Sequence, residues 1–181
     1  MSEPKTDLKT IHNIAHRLSF AEGGSGKVLI ELLRTAGPEE ISFRPGEKAW
    51  NIHEIACHLL DEEILDFRTR FFSVLENPDK EPPSIDPGGW VEKHNYAGKN
   101  YKDVVNAFAL EREKSIAMLT AIQKPGLNNA WTHPKFGPLS ARMFLNNWLA
   151  HDFLHIRQIL KNKYFFLQST SGVTLQYAGD W

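Results

Sequence analysis

The chain has 181 residues, of which 41% are hydrophobic and 24% charged, a balance typical of a folded globular protein. Its formal net charge of −1 gives no basis for attraction to nucleic acid or to an anionic membrane. The single cysteine, Cys57, excludes an intrachain disulfide and favours a reducing compartment. Because the sequence shows neither a signal-peptide pattern nor an apolar run of about 20 residues, we expect a cytoplasmic protein.

Apolar residues at helical spacing predict two helices in the N-terminal part of the chain. The first covers about residues 6–19, and the second follows Ser25, a candidate N-cap, and ends at Gly37-Pro38. The intervening EGGSGK segment superficially matches a phosphate-binding loop, but it lacks the spacing and the preceding strand that such a loop needs. We interpret it as a linker between helices, and residues 38–50 as a loop.

Three longer helical patterns fill the rest of the chain. The first runs over residues 51–76, with Asn51 as candidate N-cap and Glu54 in the capping-box position. The others cover about residues 101–123 and 139–161. The tail that begins at Ser169 is predicted to be irregular.

The segments between these helices are long and contain the usual helix-breaking residues. Residues 77–99 are rich in Pro and Gly and cannot be regular helix throughout, and residues 124–138 are predicted to be a second loop. The pattern therefore predicts an all-α four-helix bundle with long connecting loops, to which residues 1–22 add an N-terminal helical segment. No repeat or low-complexity tract marks a boundary, so residues 1–181 are predicted to form a single domain.

The last helix carries two histidines, His151 and His155, whose spacing of four places both imidazoles on one side. A rotation of about 100° per residue gives a main apolar stripe made of Leu145, Leu149, Phe153, Ile156 and Leu160. The histidines lie off this stripe, on a second face with Phe144, Asn147, Trp148 and Gln158. Because a simple surface helix would be charged there, we expect this second face to be partly buried.

The helix that follows Asn51 repeats this arrangement. Its main stripe consists of Ile52, Ala56, Leu60, Phe67, Phe71 and Val74. His58 lies opposite, on a face that also carries Glu54, Ile55, Asp61, Glu62 and Leu65. Buried polar groups need partners, and three imidazoles converging on a metal ion would satisfy one another.

Three neutral histidines are a known catalytic ligand set that leaves a position open for water or substrate. A metal held in this way keeps its full positive charge, which favours polarising a carbonyl or lowering the pKa of a bound water or thiol. From spacing alone, ordinary core or surface histidines in a structural helical domain remain the alternative.

Two motifs, in this order and about 90 residues apart, resemble the DinB-like (YfiT-like) superfamily of metal-binding four-helix bundles. The first lies in AWNIHEIACHLLDEE, where the matching residues are Trp50, Glu54, His58, Leu59 and Asp61. The second lies in HDFLHIRQI, where the matching residues are His151, His155, Gln158 and Ile159. The resemblance covers about residues 25–162 and departs from the family pattern in residues 1–22 and after Lys161.

The resemblance implies a divalent ion, nickel or zinc before manganese or iron, held by His58, His151 and His155. It also implies a homodimer and a small-molecule substrate. Some members of the family are transferases or isomerases that use a low-molecular-weight thiol (bacillithiol, mycothiol or glutathione), and others are regarded as metal-dependent hydrolases. The chain is therefore expected to be a thiol-dependent transferase or a hydrolase, and a non-catalytic, stress-associated metal-binding bundle is the alternative.

Asp61 and Glu62 are the candidate catalytic residues, because both share a face with His58. Either carboxylate could orient an imidazole or act as a base, and a solvated position on the helix surface is the alternative. Cys57 lies about 100° away from His58 and is expected to be a small buried hydrophobic residue, neither nucleophile nor ligand.

Four other histidines are weaker candidates. His12 and His16 form a second pair spaced by four, but they flank the apolar stripe of their helix and are expected to be exposed. His94 and His133 lie in predicted loops, where an exposed position is also expected. Three loop aromatics are candidates to wall a pocket: Trp90, Tyr96 and Trp131.

Overall fold

A computed structural model describes residues 3–179, most of which are helical. The α-helices are α1 (Glu3–Leu18), α2 (Ser25–Arg34), α3 (Pro38–Ser42), α4 (Ile52–Asp61), α5 (Thr69–Glu76), α6 (Trp90–Lys93), α7 (Tyr101–Thr120) and α8 (Ala141–Thr170). A π-helical segment (Glu62–Arg68) joins α4 to α5, and single 3-10 turns occur at Tyr96–Gly98 and Gln176–Ala178. Two short strands, β1 (Ala130–His133) and β2 (Gly137–Ser140), complete the architecture.

Four rods form the bundle, which confirms the predicted fold class. We call α1 with α2 the first rod, and α4, the π-helical segment and α5 together the second rod; α7 and α8 are the other two. Both α7 and α8 pack against the first and the second rod, so they occupy diagonally opposite corners. The predicted N-terminal helical segment is present as α1, which packs against α7 and α8.

Two apolar clusters show the direction of each rod. One contains side chains of α1, α5, the end of α7 and the start of α8. The other contains side chains of α2, α4, the start of α7 and Ile159 of α8. The first rod and α8 therefore run in one direction, and the second rod and α7 in the other. Because the second rod and α7 are parallel, residues 77–100 must run back along the bundle, which explains the length of this crossover.

The predicted capping box at the start of α4 is confirmed. The Asn51 side chain accepts a hydrogen bond from the Glu54 amide at 2.8 Å, and the Glu54 carboxylate accepts one from the Asn51 amide at 3.0 Å. The prediction for Ser25 was wrong, because Gly24 is the N-cap of α2 and Ser25 is the first helical residue. The Ser25 hydroxyl is turned inward and donates to Asp152 of α8 at 2.5 Å.

Helix α8 continues to Thr170, well beyond the predicted end near Lys161. Its last turns contact a segment that was predicted to be a loop but contains α3. The Lys163 ammonium lies 2.7 Å from the Glu40 carboxylate, and the rings of Phe166 and Phe43 meet edge to face at 5.5 Å. These contacts with residues distant in sequence keep the helix ordered where its own apolar pattern has become weak.

The predicted loop at 124–138 contains a β-hairpin formed by β1 and β2. The strands are antiparallel, with Ala130 opposite Ser140 and His133 opposite Gly137. Gly137 has a φ of 73°, a conformation that favours glycine, and the His133 ring accepts the amide of Lys135 at 2.9 Å. Strands this short leave too few residues for an alternating pattern to be recognised.

The apolar stripe predicted for α8 was displaced from the face that the structure buries. Phe153 and Leu160, which were assigned to it, are 48% and 40% exposed. The buried face instead runs through Trp148, Asp152 and Ile159. A buried charge determines this rotation, because Asp152 is fully inaccessible to solvent.

Arg112 of α7 organises the middle of the bundle, between the two apolar clusters. Its guanidinium donates two hydrogen bonds to Asp152, at 2.7 and 2.9 Å, and one to Glu63 of the π-helical segment at 2.9 Å. It also donates to the Leu18 carbonyl of α1 at 3.0 Å, while the Trp148 indole of α8 donates to Glu63 at 2.9 Å. All four rods therefore meet at one buried cation.

Within residues 3–179, the structure contains no helix that is both long and apolar enough to cross a membrane.

Replacing Arg112 by Ala should lower the free energy of unfolding by about 3–5 kcal/mol, because Glu63 and Asp152 would remain buried without their cation. Urea denaturation followed by circular dichroism measures the change. Lys114→Ala is the matched control, since the Lys114 side chain is 65% exposed beside Glu111. It should cost less than about 1 kcal/mol. Equal losses in the two variants would contradict this account of the core.

Candidate metal centre

Three imidazoles converge between the second rod and α8. The Nε2 atom of His58 lies 3.3 Å from that of His151, which in turn lies 3.0 Å from the Nε2 atom of His155. One nitrogen from each of the three rings falls within 4.8 Å of the others, an arrangement that could hold a metal ion. His58 and His155 are buried and His151 is partly buried. The structure thus brings together the three histidines that the sequence suggested.

The spacing of the nitrogens fits a tetrahedral ion. Zinc binds imidazole nitrogen at about 2.0–2.1 Å, and a tetrahedron with such bonds places its ligand atoms about 3.3 Å apart. The separations of 3.3 and 3.0 Å between the Nε2 atoms are close to this value. Two adjacent neutral rings can share only one hydrogen bond, whereas a cation at their centre attracts all three nitrogens at once.

The surroundings keep the imidazoles uncharged and hence able to donate their lone pairs. Burial, followed by the charge of His155, lowers the pKa of His58 to about 3. Burial lowers the pKa of His151 to about 2, with smaller effects from His155 and His58. The pKa of His155 is also lowered by burial, although the Gln158 side chain opposes the change. All three rings are therefore neutral at pH 7.

Aromatic rings form the walls around the histidines. The Trp50 ring lies 4.7 Å from the ring of His58, and Phe67 of the π-helical segment lies 5.0 Å from His151, both between ring centres. Such walls reduce the access of water and lower the local dielectric constant, which strengthens electrostatic interactions within the site.

Glu62 is the carboxyl group nearest to the three histidines among the ion pairs of the described residues. Its Oε1 atom lies 3.7 Å from Nε2 of His58, and the side chain is buried. Burial, together with the neighbouring charge of Asp66, raises the pKa of Glu62. The two carboxyls hydrogen-bond to each other, which requires a proton between them, and Arg70 lies 3.4 Å from Asp66. A hydrogen-bonded row of Glu62, Asp66 and Arg70 thus leads away from His58, which Glu62 approaches without a hydrogen bond.

Asp61, the other candidate carboxylate, contacts the crossover. Its Oδ2 atom accepts a hydrogen bond from the Tyr96 hydroxyl at 2.7 Å and lies 2.7 Å from Nδ1 of His94. Neither Asp61 nor Glu62 is a surface residue, so that alternative was wrong. The prediction of an exposed His94 was also wrong, because its side chain is only 24% exposed. Asp61 therefore attaches the crossover to the second rod.

Two cavities border α8, and one of them reaches the imidazoles through His155. The first, of about 430 Å³, is lined by Trp50, His155 and neighbouring residues of α8. The second, of about 400 Å³, lies between the crossover, the hairpin and α8, and its lining includes Arg70, Trp131, His133, Phe136 and Phe144. Of the predicted loop aromatics, Trp131 thus walls a cavity, whereas Trp90 and Tyr96 are buried in the core.

The predictions for His12, His16 and Cys57 are confirmed. His12 and His16 are exposed on α1, and no third candidate ligand among the described residues joins them. Cys57 is fully buried, and burial raises the pKa of its thiol to about 11, which suits a hydrophobic packing role. The expectation that Asn147 shares the partly buried face of the histidines was wrong, because Asn147 is exposed and its side chain donates to the Met143 carbonyl of its own helix at 2.9 Å.

Sequence reasoning missed the buried charges that position the site, which are Glu63, Arg112 and Asp152. A signal was present for Arg112, since it shares helical spacing with Val105, Phe108 and Leu119 and therefore belongs to a buried face. Asp152 fell between the two faces assigned to α8, and only its partner on α7 shows why it is buried. Glu63 gave no such signal, because the π-helical segment alters the rotation of the residues that follow it.

Comparison with known proteins places these features in a family. A sequence model described as the DinB superfamily matches residues 25–159. The solved structure of YfiT from Bacillus subtilis superposes with a TM-score of 0.66 at 12% identity, over 91% of this chain and 89% of that chain. YfiT is described as a probable metal-dependent hydrolase with an unusual four-helix bundle topology. None of the curated proteins compared gives a significant match. At this identity the YfiT superposition shows the fold alone.

When the protein is purified without a histidine tag, it should contain about one divalent ion per chain. The variants His58→Ala, His151→Ala and His155→Ala should each reduce this content at least tenfold, because two imidazoles bind a metal ion far more weakly than three. Elemental analysis after dialysis measures the content. The double variant His12→Ala/His16→Ala is the matched control, because it removes an exposed pair with the same spacing. Loss of metal in the control, or its retention in the other variants, would refute the assignment.

The metal-free protein should lose stability as the pH falls below about 6.5. Below this pH each of the three histidines binds a proton in the unfolded chain but stays neutral in the folded chain, which favours unfolding. For His151, whose folded pKa is about 2, the effect approaches about 1.4 kcal/mol per pH unit. Buried carboxyls such as Glu62 act in the opposite direction, so the wild type is compared with His151→Gln. Urea denaturation between pH 7.5 and 5 should show a steeper loss in the wild type, and equal slopes would contradict the prediction.

Proposed function

This chain belongs to the DinB superfamily, and we propose that it is a metal-dependent hydrolase in which His58, His151 and His155 hold a divalent cation. The observation that carries the proposal is the convergence of three neutral imidazoles beside the buried carboxyl group of Glu62, next to a cavity of about 430 Å³. Three nitrogen ligands and no carboxylate suit zinc or nickel better than magnesium or calcium, which prefer oxygen.

A divalent cation bound by these histidines would supply Lewis-acid chemistry, polarising a substrate carbonyl and lowering the pKa of bound water. Glu62 is the residue of this chain that can accept a proton there, because its carboxyl group lies 3.7 Å from His58. Positive charge within about 4–6 Å favours the ionised form of a carboxyl, so a cation held by the three histidines would leave Glu62 able to act as a base. Asp66 and Arg70 orient it through the hydrogen-bonded row.

A thiol-dependent transferase is the second candidate, and a second cavity near the row of Glu62, Asp66 and Arg70 favours it. Transfer requires two substrates to meet at the reacting centre. The cavity of about 430 Å³ reaches His155 and the cavity of about 400 Å³ reaches Arg70, and both are large enough for small molecules. In this reaction Glu62 would accept the proton of the thiol rather than that of water.

One set of assays separates these candidates. The zinc- or nickel-loaded protein is incubated with a panel of esters and amides, and in parallel with alkylating electrophiles and low-molecular-weight thiols. Thiol-independent cleavage that requires the metal supports the hydrolase, and turnover only in the presence of thiol supports the transferase. If neither occurs and azide leaves the spectrum of the cobalt-substituted protein unchanged, the centre is closed and the non-catalytic alternative is correct.

Glu62→Gln should lower kcat by about 10²–10⁴-fold while metal content is retained, because the amide keeps the size of the side chain but cannot accept the proton. Steady-state kinetics with the best substrate of the panel, together with elemental analysis, measure both quantities. Glu76→Gln, an exposed change on the same rod, is the control and should retain full activity. A Glu62→Gln enzyme with wild-type kcat would exclude Glu62 as the base.

A further inference from the structure

The cavity of about 430 Å³ has a pronounced charge asymmetry. Its wall of loop residues is apolar and consists of Pro45, Ala49 and Trp50. The facing wall belongs to α8 and includes the cations Arg157 and Lys161 with the amide of Gln158. Among residues 3–179, no carboxylate lines this cavity. A pocket with one apolar wall and one cationic wall suits a small amphiphilic anion.

The two cations differ from other basic residues nearby. Arg44 and Lys163 are neutralised by Glu54 and Glu40, at 2.6 and 2.7 Å. Within the part of the chain that the structure describes, neither Arg157 nor Lys161 has a carboxylate within 4 Å. The Lys161 ammonium lies 5.8 Å from the centre of the Phe165 ring. The cavity therefore presents positive charge that the protein itself does not neutralise.

This cavity adjoins the imidazoles directly. His155 belongs both to the cavity wall and to the candidate ligands, and the Trp50 ring, which lines the same wall, packs at 4.7 Å against the His58 ring. A molecule anchored here would lie beside the proposed metal. Its anionic end would be held about 3–9 Å farther along α8, since residues 155, 157 and 161 follow one another at about 1.5 Å rise per residue.

We infer that a substrate of this protein carries a carboxylate or phosphate group, which binds Arg157 and Lys161 while its apolar part packs on Trp50. The inference rests on the proposed function for the identity of the reaction, but the anion site itself exists without it. Arg157 offers a planar fork that can bind two oxygens together, and Lys161 adds a point charge with three donors. Neutral analogues lose both interactions, so the cavity selects for negative charge.

Calorimetry with small aromatic probes tests this inference. Benzoate should bind at least about tenfold more tightly than benzamide, which has the same shape but no charge, and added salt should weaken the binding of benzoate. Phenyl phosphate is measured in parallel, and the tighter of the two anions identifies the group that the cavity prefers. Equal affinity for benzoate, phenyl phosphate and benzamide would overturn the inference.

Variants locate the binding. Arg157→Gln/Lys161→Gln should weaken the affinity for the preferred anion at least about tenfold and leave benzamide unchanged. Lys163→Gln, which removes a neighbouring cation already paired with Glu40, is the matched control and should change the affinity less than about twofold. Arg157 and Lys161 are exposed on α8, and Lys163 is only partly buried there, so the variants should fold, as circular dichroism can verify.

The titrations are repeated on the metal-free protein, which separates this inference from the proposed function. A loss of affinity on substitution of Arg157 and Lys161 that persists without metal supports the anion site, whether or not the protein hydrolyses anything. Anion binding that disappears on chelation and is insensitive to the two substitutions shows direct coordination of the metal, and overturns the anion site. For a substrate found in the hydrolase panel, the double variant should raise KM and retain kcat.

Discussion

The position of the candidate metal centre depends on the buried ionic cluster of Arg112 with Glu63 and Asp152. Asp152 lies between His151 and His155 in α8, so the two hydrogen bonds from Arg112 determine which way this helix is rotated. Glu63 is adjacent to Glu62, and the hydrogen bonds that Glu63 accepts from Arg112 and Trp148 determine the rotation of the second rod. Buried ion pairs rarely add net stability over an apolar core. However, any other rotation of either helix about its axis would leave a buried charge without its partner, which is strongly unfavourable.

The π-helical segment changes the direction in which successive side chains of the second rod point. An α-helix turns about 100° per residue, so neighbouring residues cannot all face the same side. The wider turns of Glu62–Arg68 allow Glu62, Glu63 and Asp66 all to be buried. The side-chain hydroxyl of Thr69, just after this segment, donates to the Ile64 carbonyl five residues earlier at 2.6 Å. One carboxyl is thereby directed to the core cation and another to the imidazoles, which fits the frequent occurrence of π-bulges at functional sites.

The chain topology also places the crossover and the hairpin close to the helices that carry the histidines. Because the second rod and α7 are parallel, the crossover must pass along the bundle, and its contact with Asp61 through His94 and Tyr96 holds it against the helix that carries His58. The hairpin, in turn, is attached to α5 by a hydrogen bond of 2.6 Å from the Asn129 side chain to the Leu75 carbonyl. Both connections wall the cavity that contains Trp131, so the long loops border the Arg70 end of the hydrogen-bonded row.

The sequence by itself determined the helices, the capping box at Asn51 and the group of three histidines, because these follow from local spacing and from two motifs that resemble a known family. It did not determine the rotation of α8, the inward turn of Ser25 or the separate tasks of Asp61 and Glu62. Those depend on partners far apart in the chain: Arg112 and Asp152 are separated by 40 residues, and Ser25 and Asp152 by 127. A buried charge is stable only where a partner of opposite charge lies next to it. Helical periodicity does not predict which residues of different helices lie next to each other. The tertiary structure alone therefore decided which polar residues surround the imidazoles.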